Sequence, residues 1–182
     1  MIPRASILLA LCFVFPASVV QAADWPMWRY DSGHTASSPE ELPDDLHPHW
    51  TLEFSPRERV WKDVLNQDLM TYDRVFEPVV VGDLMFVGFS DSDKVAAYSL
   101  EDGSEKWRFY AGGPVRFAPV GWEDKIIFCS DDGFLYCVGA ASGELAWKFR
   151  GAPSARKVLG NERIIVQATP HGTMLQCQAV SG

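Results

Sequence analysis

The chain has little basic charge and few cysteines, and these two shortages exclude several classes of protein. Its 182 residues hold 16 Lys and Arg against 24 Asp and Glu, which gives a formal net charge of −8. A chain this acidic lacks the basic stripe that binds a phosphate backbone, so nucleic acid is excluded as a partner, and anionic membrane surfaces are disfavoured. Four cysteines are too few for a disulfide-dense scaffold. The rest of the composition, 47% hydrophobic and 22% charged, is typical of a globular protein.

Long apolar runs are also scarce, and the one at the start is typical of a secretory signal peptide. Arg4 supplies a positive charge, residues 6–20 are mostly apolar, and Val20-Gln21-Ala22 fits the end of a cleavage site. We expect cleavage after Ala22. The mature chain then carries a net charge of about −9, has no membrane span and resides in the periplasm or outside the cell.

Three cysteines remain in this mature chain, namely Cys129, Cys137 and Cys177. Their spacing fits neither a zinc site nor a Cys-x-x-Cys pair. All three lie in apolar, strand-like runs, where cysteine usually packs as a small hydrophobic side chain. We therefore predict that they are buried residues of the core.

Two segments of the chain repeat each other at a fixed distance. Residues 97–109 and 137–149 share Gly, Trp, a basic residue and Phe at an offset of 40. A third copy begins near residue 163, and the position expected for its tryptophan falls beyond the last residue. The pattern thus predicts two complete repeats and most of a third. The motif residues are Gly103, Trp107, Gly143, Trp147 and, in the partial copy, Gly182.

Each copy divides into short runs of β-forming residues that are separated by turns. In the second copy these runs cover residues 115–120, 124–130, 134–138 and 145–150. Four short strands in about 40 residues match the size of one β-propeller blade. A tryptophan that recurs once per blade can dock between adjacent sheets, with its indole N–H bonded to a turn. The predicted fold class is all-β, with blades of four antiparallel strands in an incomplete ring.

The spacing of a small residue, Gly and Trp resembles the tryptophan-docking motif of the quinoprotein-like β-propellers, also described as pyrroloquinoline-quinone-binding-like repeat proteins. The segment Asp24-Trp25-Pro26-Met27-Trp28-Arg29-Tyr30-Asp31 is similar to the N-terminal segment of exported bacterial members. The resemblance covers nearly all of residues 24–182. It implies the N-terminal, truncated portion of such a propeller.

The repeat pattern divides the chain into four parts. They are a signal peptide (1–22), a lead-in with an outer strand (23–54), an inserted loop or short helix (55–74) and the propeller repeats with a truncated last copy (75–182). The insertion is inferred because Trp50 and Trp107 are 57 residues apart, against 40 for the next pair. Within it, Ser55-Pro56-Arg57-Glu58 is typical of a helix N-terminus.

No group of residues in the sequence indicates a catalytic or metal site. Asp91-Ser92-Asp93 and Asp131-Asp132 lack the spacing of a calcium loop and are interpreted as turns. His47-Pro48-His49 has no third ligand nearby, so the histidines are interpreted as loop residues. Trp25, Trp28 and Trp122 could form a sugar- or peptide-binding patch, but we expect them to pack in the core or between blades.

These observations predict a non-catalytic exported propeller protein that acts as a scaffold for a protein or other cell-envelope partner, with no cofactor. Two alternatives stay open. One is a fragment of a pyrroloquinoline-quinone-dependent dehydrogenase, which would bind that quinone with calcium. The other is a scaffold for outer-membrane protein assembly. Against the dehydrogenase, the sequence has no adjacent pair of cysteines, and it has no acidic residue in the context that the resemblance implies for such a site.

Overall fold

The computed structural model describes residues 23–54 and 76–151, together with the backbone of residues 157–160 and 163–166. The predicted signal peptide, the predicted insertion at 55–74 and the motif residue Gly182 lie outside the described residues and stay predictions. Within the described ranges, no helix has the length and apolar character needed to cross a membrane.

The first sheet is a blade of four antiparallel strands that lie in chain order. The strands are β1 (Val79–Val81), β2 (Leu84–Phe89), β3 (Lys94–Ser99) and β4 (Glu105–Tyr110). Phe86 lies opposite Ala97, which in turn lies opposite Trp107. The pairing of β3 with β4 shifts in register between Ala97 and Tyr98, directly next to the pair formed by Ala97 and the motif residue Trp107.

The second sheet repeats this arrangement. Its strands are β5 (Val120–Trp122), β6 (Lys125–Cys129), β7 (Phe134–Gly139) and β8 (Leu145–Arg150). Cys137 lies opposite Trp147, and the register shifts at the equivalent place, after Cys137. Two further strands, β9 (Lys157–Gly160) and β10 (Arg163–Val166), pair with each other. The predicted fold class is confirmed: the described residues form all-β blades, fewer than the four to eight that close a ring.

The predicted strand at residues 115–120 is wrong in its bounds, because the strand begins only at Val120. Pro114 and Pro119 have no N–H to donate to a strand ladder. The N–H of Val115 donates instead to the carbonyl of Phe89 in the first blade, at 3.2 Å. This segment therefore connects the two blades and does not extend the second one.

The main core lies between the two blades. Fully buried side chains from both sheets form it, and they include Val79, Phe86, Val95, Ile126, Phe128 and Val138. A second cluster covers the other face of the first blade, where Phe54 and Phe76 pack against Phe89 and Tyr98. The segment after Trp50, to which no strand is assigned, thus covers the face of the first blade that the second blade leaves open.

Candidate functional site

The motif residue Trp107 docks on the turn that follows β7. Its indole N–H donates to the carbonyl oxygen of Ala140 at 2.8 Å. Its ring lies against Gly143, where a Cβ atom would come within 2.6 Å of the ring. Gly143 also has a φ of 69°, so both its conformation and the available space require glycine. The structure therefore joins Trp107 of one repeat to Gly143 of the next.

A second docking site has the same form. The indole N–H of Trp50 donates to the carbonyl of Leu100 at 2.7 Å, and its ring lies against Gly103. Gly103 has a φ of 70°, close to that of Gly143. The partner of Gly103 is thus Trp50, which lies before the predicted insertion.

Trp147, the motif tryptophan of the second repeat, is more exposed than the docked tryptophans Trp50 and Trp107. Trp147 lies on β8 with 45% of its surface exposed, beside Leu145 at 46% and Phe149 at 63%. These alternate residues share one face of the strand. The equivalent Trp107 and Phe109 of β4 pack against the core between the blades. Among the residues that the structure describes, none covers the apolar face of β8 as the second blade covers that of β4.

The connection between the blades is fixed to a turn of each one. The N–H of Ala111 donates to the carbonyl of Asp93 at 2.7 Å, and the N–H of Asp131 donates to the carbonyl of Pro114 at 2.9 Å. We call residues 111–119, with the turns 90–93 and 130–133, the loop face. Both acidic pairs of the sequence lie in its turns, as predicted.

Asp132 holds several parts of the loop face together. Its Oδ2 accepts the N–H of Gly112 at 2.9 Å and the hydroxyl of Tyr136, while its Oδ1 accepts the N–H of Phe134 at 3.0 Å. Burial, followed by the bond to Asp132, raises the pKa of the Tyr136 phenol far above its usual range. Tyr136 is therefore a protonated donor at physiological pH.

Asp131 forms a largely buried ion pair with Arg116. The Nε of Arg116 lies 2.6 Å from its Oδ2, and each side chain is only 13% exposed. Next to this pair, the hydroxyl of Ser130 donates to the carbonyl of Gly113 at 2.9 Å. The sequence alone does not indicate this ion pair, because its members are 15 residues apart and become neighbours only where residues 111–119 cross between the blades.

The two aspartates in the turn 130–133 of the loop face do not fit a calcium site. Calcium takes six to eight oxygen ligands, mostly carboxylates and carbonyls. The Asp131 carboxylate is bound by a guanidinium, and that of Asp132 accepts bonds from two backbone amides and a phenol. In the part of the chain that the structure describes, no three His, Cys, Asp or Glu residues are grouped to hold a metal ion.

Two histidines bond to backbone carbonyls in loops. The Nε2 of His49 lies 2.7 Å from the carbonyl oxygen of Glu101, and the Nδ1 of His34 lies 3.1 Å from that of Trp28. Trp28 is 40% exposed and Trp122 is 50% exposed, so the expectation that they pack inside the protein is wrong.

The two described cysteines differ in their bonding state. Cys137 is a free, buried thiol, as predicted, and burial raises its pKa. Cys129 is disulfide-bonded, so the prediction that it packs as a plain hydrophobic residue is wrong. Alternation along β6 places Cys129 on the face opposite the fully buried Phe128, where it is only partly buried. Cys177 lies outside the described residues.

One family model matches residues 50–178, and it is described as outer membrane protein assembly factor BamB. Among solved structures, BamB from Moraxella catarrhalis is 21% identical over 42% of this chain and 26% of its own, with a TM-score of 0.35. Quinohemoprotein alcohol dehydrogenase from Comamonas testosteroni is 18% identical over 76% of this chain and 21% of its own, with a TM-score of 0.47. A europium-containing methanol dehydrogenase is 21% identical over 43% of this chain and 17% of its own, with a TM-score of 0.37. No curated protein matches the sequence.

The chain spans about a quarter or less of the length of these solved structures. They include an assembly factor and two dehydrogenases. At these identities and TM-scores the likenesses indicate no activity.

Proposed function

The chain belongs to the quinoprotein-like propeller family whose model is described as outer membrane protein assembly factor BamB, and we propose that it is a non-catalytic binding scaffold of the cell envelope. Export rests on the predicted signal peptide of residues 1–22. Under this proposal the partner is a protein of the envelope, and no cofactor takes part.

The observation that carries the proposal is that the acidic side chains of the turn 130–133 bind other groups of the protein. Asp131 binds Arg116, and Asp132 binds Gly112 and Tyr136. A dehydrogenase of this fold would need carboxylates directed at a metal ion and a substrate. Here they fix residues 111–119 to the second blade, which supports a structural role and favours the scaffold over the dehydrogenase alternative.

A loop face held in this way is suited to binding. Loops that are ordered before they meet a partner lose less conformational entropy on association. Phe117 and Ala118 lie near the end of residues 111–119 and are partly exposed. We therefore propose the loop face as the surface that contacts the protein partner.

Site-specific photo-crosslinking in the host envelope tests this assignment. A photoreactive residue at position 117 is expected to give one discrete protein adduct. The same residue at position 110 is the matched control, because Tyr110 is 59% exposed on β4 and lies outside the loop face. The substitution Arg116→Met removes the ion pair that orders residues 111–119 and is expected to weaken the adduct. Equal adducts at both positions, or none at 117, would contradict the assignment.

Dye reduction separates the dehydrogenase alternative from the scaffold. The purified mature chain is incubated with pyrroloquinoline quinone, calcium and a series of primary alcohols. The scaffold proposal predicts the same dye reduction as a protein-free mixture. A rate that requires the chain, the quinone and calcium together would support the dehydrogenase instead.

A further inference from the structure

A short segment near the start of the described chain joins the edge strands of both blades. Trp25 exchanges two backbone hydrogen bonds with Val80 of β1, at 2.9 and 2.8 Å. The next carbonyl, that of Pro26, accepts the N–H of Gly121 of β5 at 2.6 Å. We call residues 24–26 the strap, because three backbone bonds attach it to two different sheets.

Side chains support the same placement. The Asp24 carboxylate accepts the N–H of Gly82 in the turn after β1, at 2.7 Å. A Cβ atom at Gly121 would come within 2.3 Å of Val81 and 3.4 Å of the carbonyl oxygen of Pro26. The absence of a side chain at Gly121 is therefore what lets the strap and both edge strands approach each other.

The residue before the strap has a carboxylate partner. The backbone N–H of Ala23 donates to the Oε1 of Glu40 at 3.0 Å. In the uncleaved chain this nitrogen belongs to a neutral peptide group. Hydrolysis of the Ala22–Ala23 bond uses one water molecule. The new carboxylate leaves with residues 1–22, and the nitrogen becomes an α-amino group that is mostly protonated at pH 7. The nitrogen that lies 3.0 Å from the Glu40 carboxylate in the uncleaved chain is thereby converted from an amide to an ammonium.

We propose that signal-peptide cleavage after Ala22 completes a latch, in which the new α-ammonium of Ala23 pairs with Glu40 and so orders the end of the strap that is bonded to β1 and β5. The inference rests on the predicted cleavage site and on the Ala23–Glu40 contact, and it is independent of the partner proposed above. An N-terminal segment stays ordered only where contacts tie it down. Maturation supplies one such contact at the end of the strap, so the link between the two blades becomes tighter once the protein is exported.

Amide hydrogen exchange of the mature chain tests the latch. Four samples are compared: a free or an acetylated N-terminus at Ala23, each with Glu40 or with Glu40→Gln. Acetylation restores a neutral N–H like that of the uncleaved chain. We expect acetylation and Glu40→Gln each to speed exchange at the Val80 and Gly121 amides by about 1.5- to 5-fold, as for an exposed ion pair. Applied together, they are expected to add little to either change alone. Amides of β7 serve as the internal reference.

Glu41→Gln is the matched control, since it removes the same charge from the neighbouring exposed residue and is expected to leave both amides unchanged. Intact mass of the exported protein must also show Ala23 as its first residue. A different first residue, an unchanged rate on acetylation, or an acetylation effect that persists fully in Glu40→Gln would overturn the proposal.

Discussion

The indole N–H of Trp107 lies 2.8 Å from the carbonyl oxygen of Ala140, and this bond joins one blade to the next. Trp50 makes the same bond to Leu100 at 2.7 Å. In each case a glycine with positive φ lies under the indole ring. The sequence motif is thus one half of a contact whose other half lies in the following repeat.

Gly143→Ala tests the space beneath Trp107. The new methyl group would lie 2.6 Å from the indole ring, in a backbone conformation that costs an L-residue about 1–2 kcal/mol. We expect the free energy of unfolding in urea to fall by about 2–4 kcal/mol, because overpacking adds to that strain. Gly82→Ala is the control, since Gly82 also has positive φ but no atom lies within 4 Å of the added methyl. Equal losses in the two variants would show that the ring of Trp107 does not limit the space at Gly143.

Phe109 and Phe149 occupy the same position in successive repeats and allow a matched comparison. The ring of Phe109 lies 5.8 Å from that of Phe128 and 5.5 Å from that of Tyr136, across the blade interface. Phe149 is 63% exposed. We expect Phe109→Ala to lower the free energy of unfolding by about 2–4 kcal/mol and Phe149→Ala by less than about 1 kcal/mol. A loss from Phe149→Ala as large as that from Phe109→Ala would show that the face of β8 is covered in solution.

These two residues also show how far the sequence alone could lead. The 40-residue offset was enough to predict the blades and the equivalence of Phe109 and Phe149. The offset could not predict which strand faces are buried. The two repeats have similar sequences, but the face of β4 packs against the second blade, whereas that of β8 is exposed. A periodic pattern likewise carries no information on contacts between residues that are not part of the shared motif. The Arg116–Asp131 ion pair and the strap at Trp25 are of that kind, and both depend on backbone that makes no regular strand.

Tyr136 makes stability depend on pH in the alkaline range. Its pKa is raised in the folded protein, by burial first and by Asp132 second, so above about pH 10 the folded state holds a proton that the unfolded chain loses. The free energy of unfolding therefore falls as pH rises beyond that point. Urea unfolding between pH 9 and 11 is expected to show a shallower fall in Tyr136→Phe. Part of the fall persists in that variant, because burial also raises the pKa of Tyr98.

At neutral pH, Tyr136→Phe is expected to cost about 1–2 kcal/mol, because it removes the hydroxyl that donates to Asp132. Tyr110→Phe is the control for both experiments, since Tyr110 is 59% exposed on β4. A profile for Tyr136→Phe that runs parallel to that of the unsubstituted protein would contradict the assigned role of this phenol.

Hydrogen exchange of the indole N–H groups tests the central claim, that tryptophan docking joins the blades of this propeller. We predict that the indole N–H groups of Trp50 and Trp107, each bonded to a carbonyl, exchange at least about tenfold more slowly than that of Trp122, which is 50% exposed. Gly143→Ala is expected to remove the protection of Trp107 and to leave that of Trp50. Exchange at Trp107 as fast as at Trp122 in the folded protein would contradict the account.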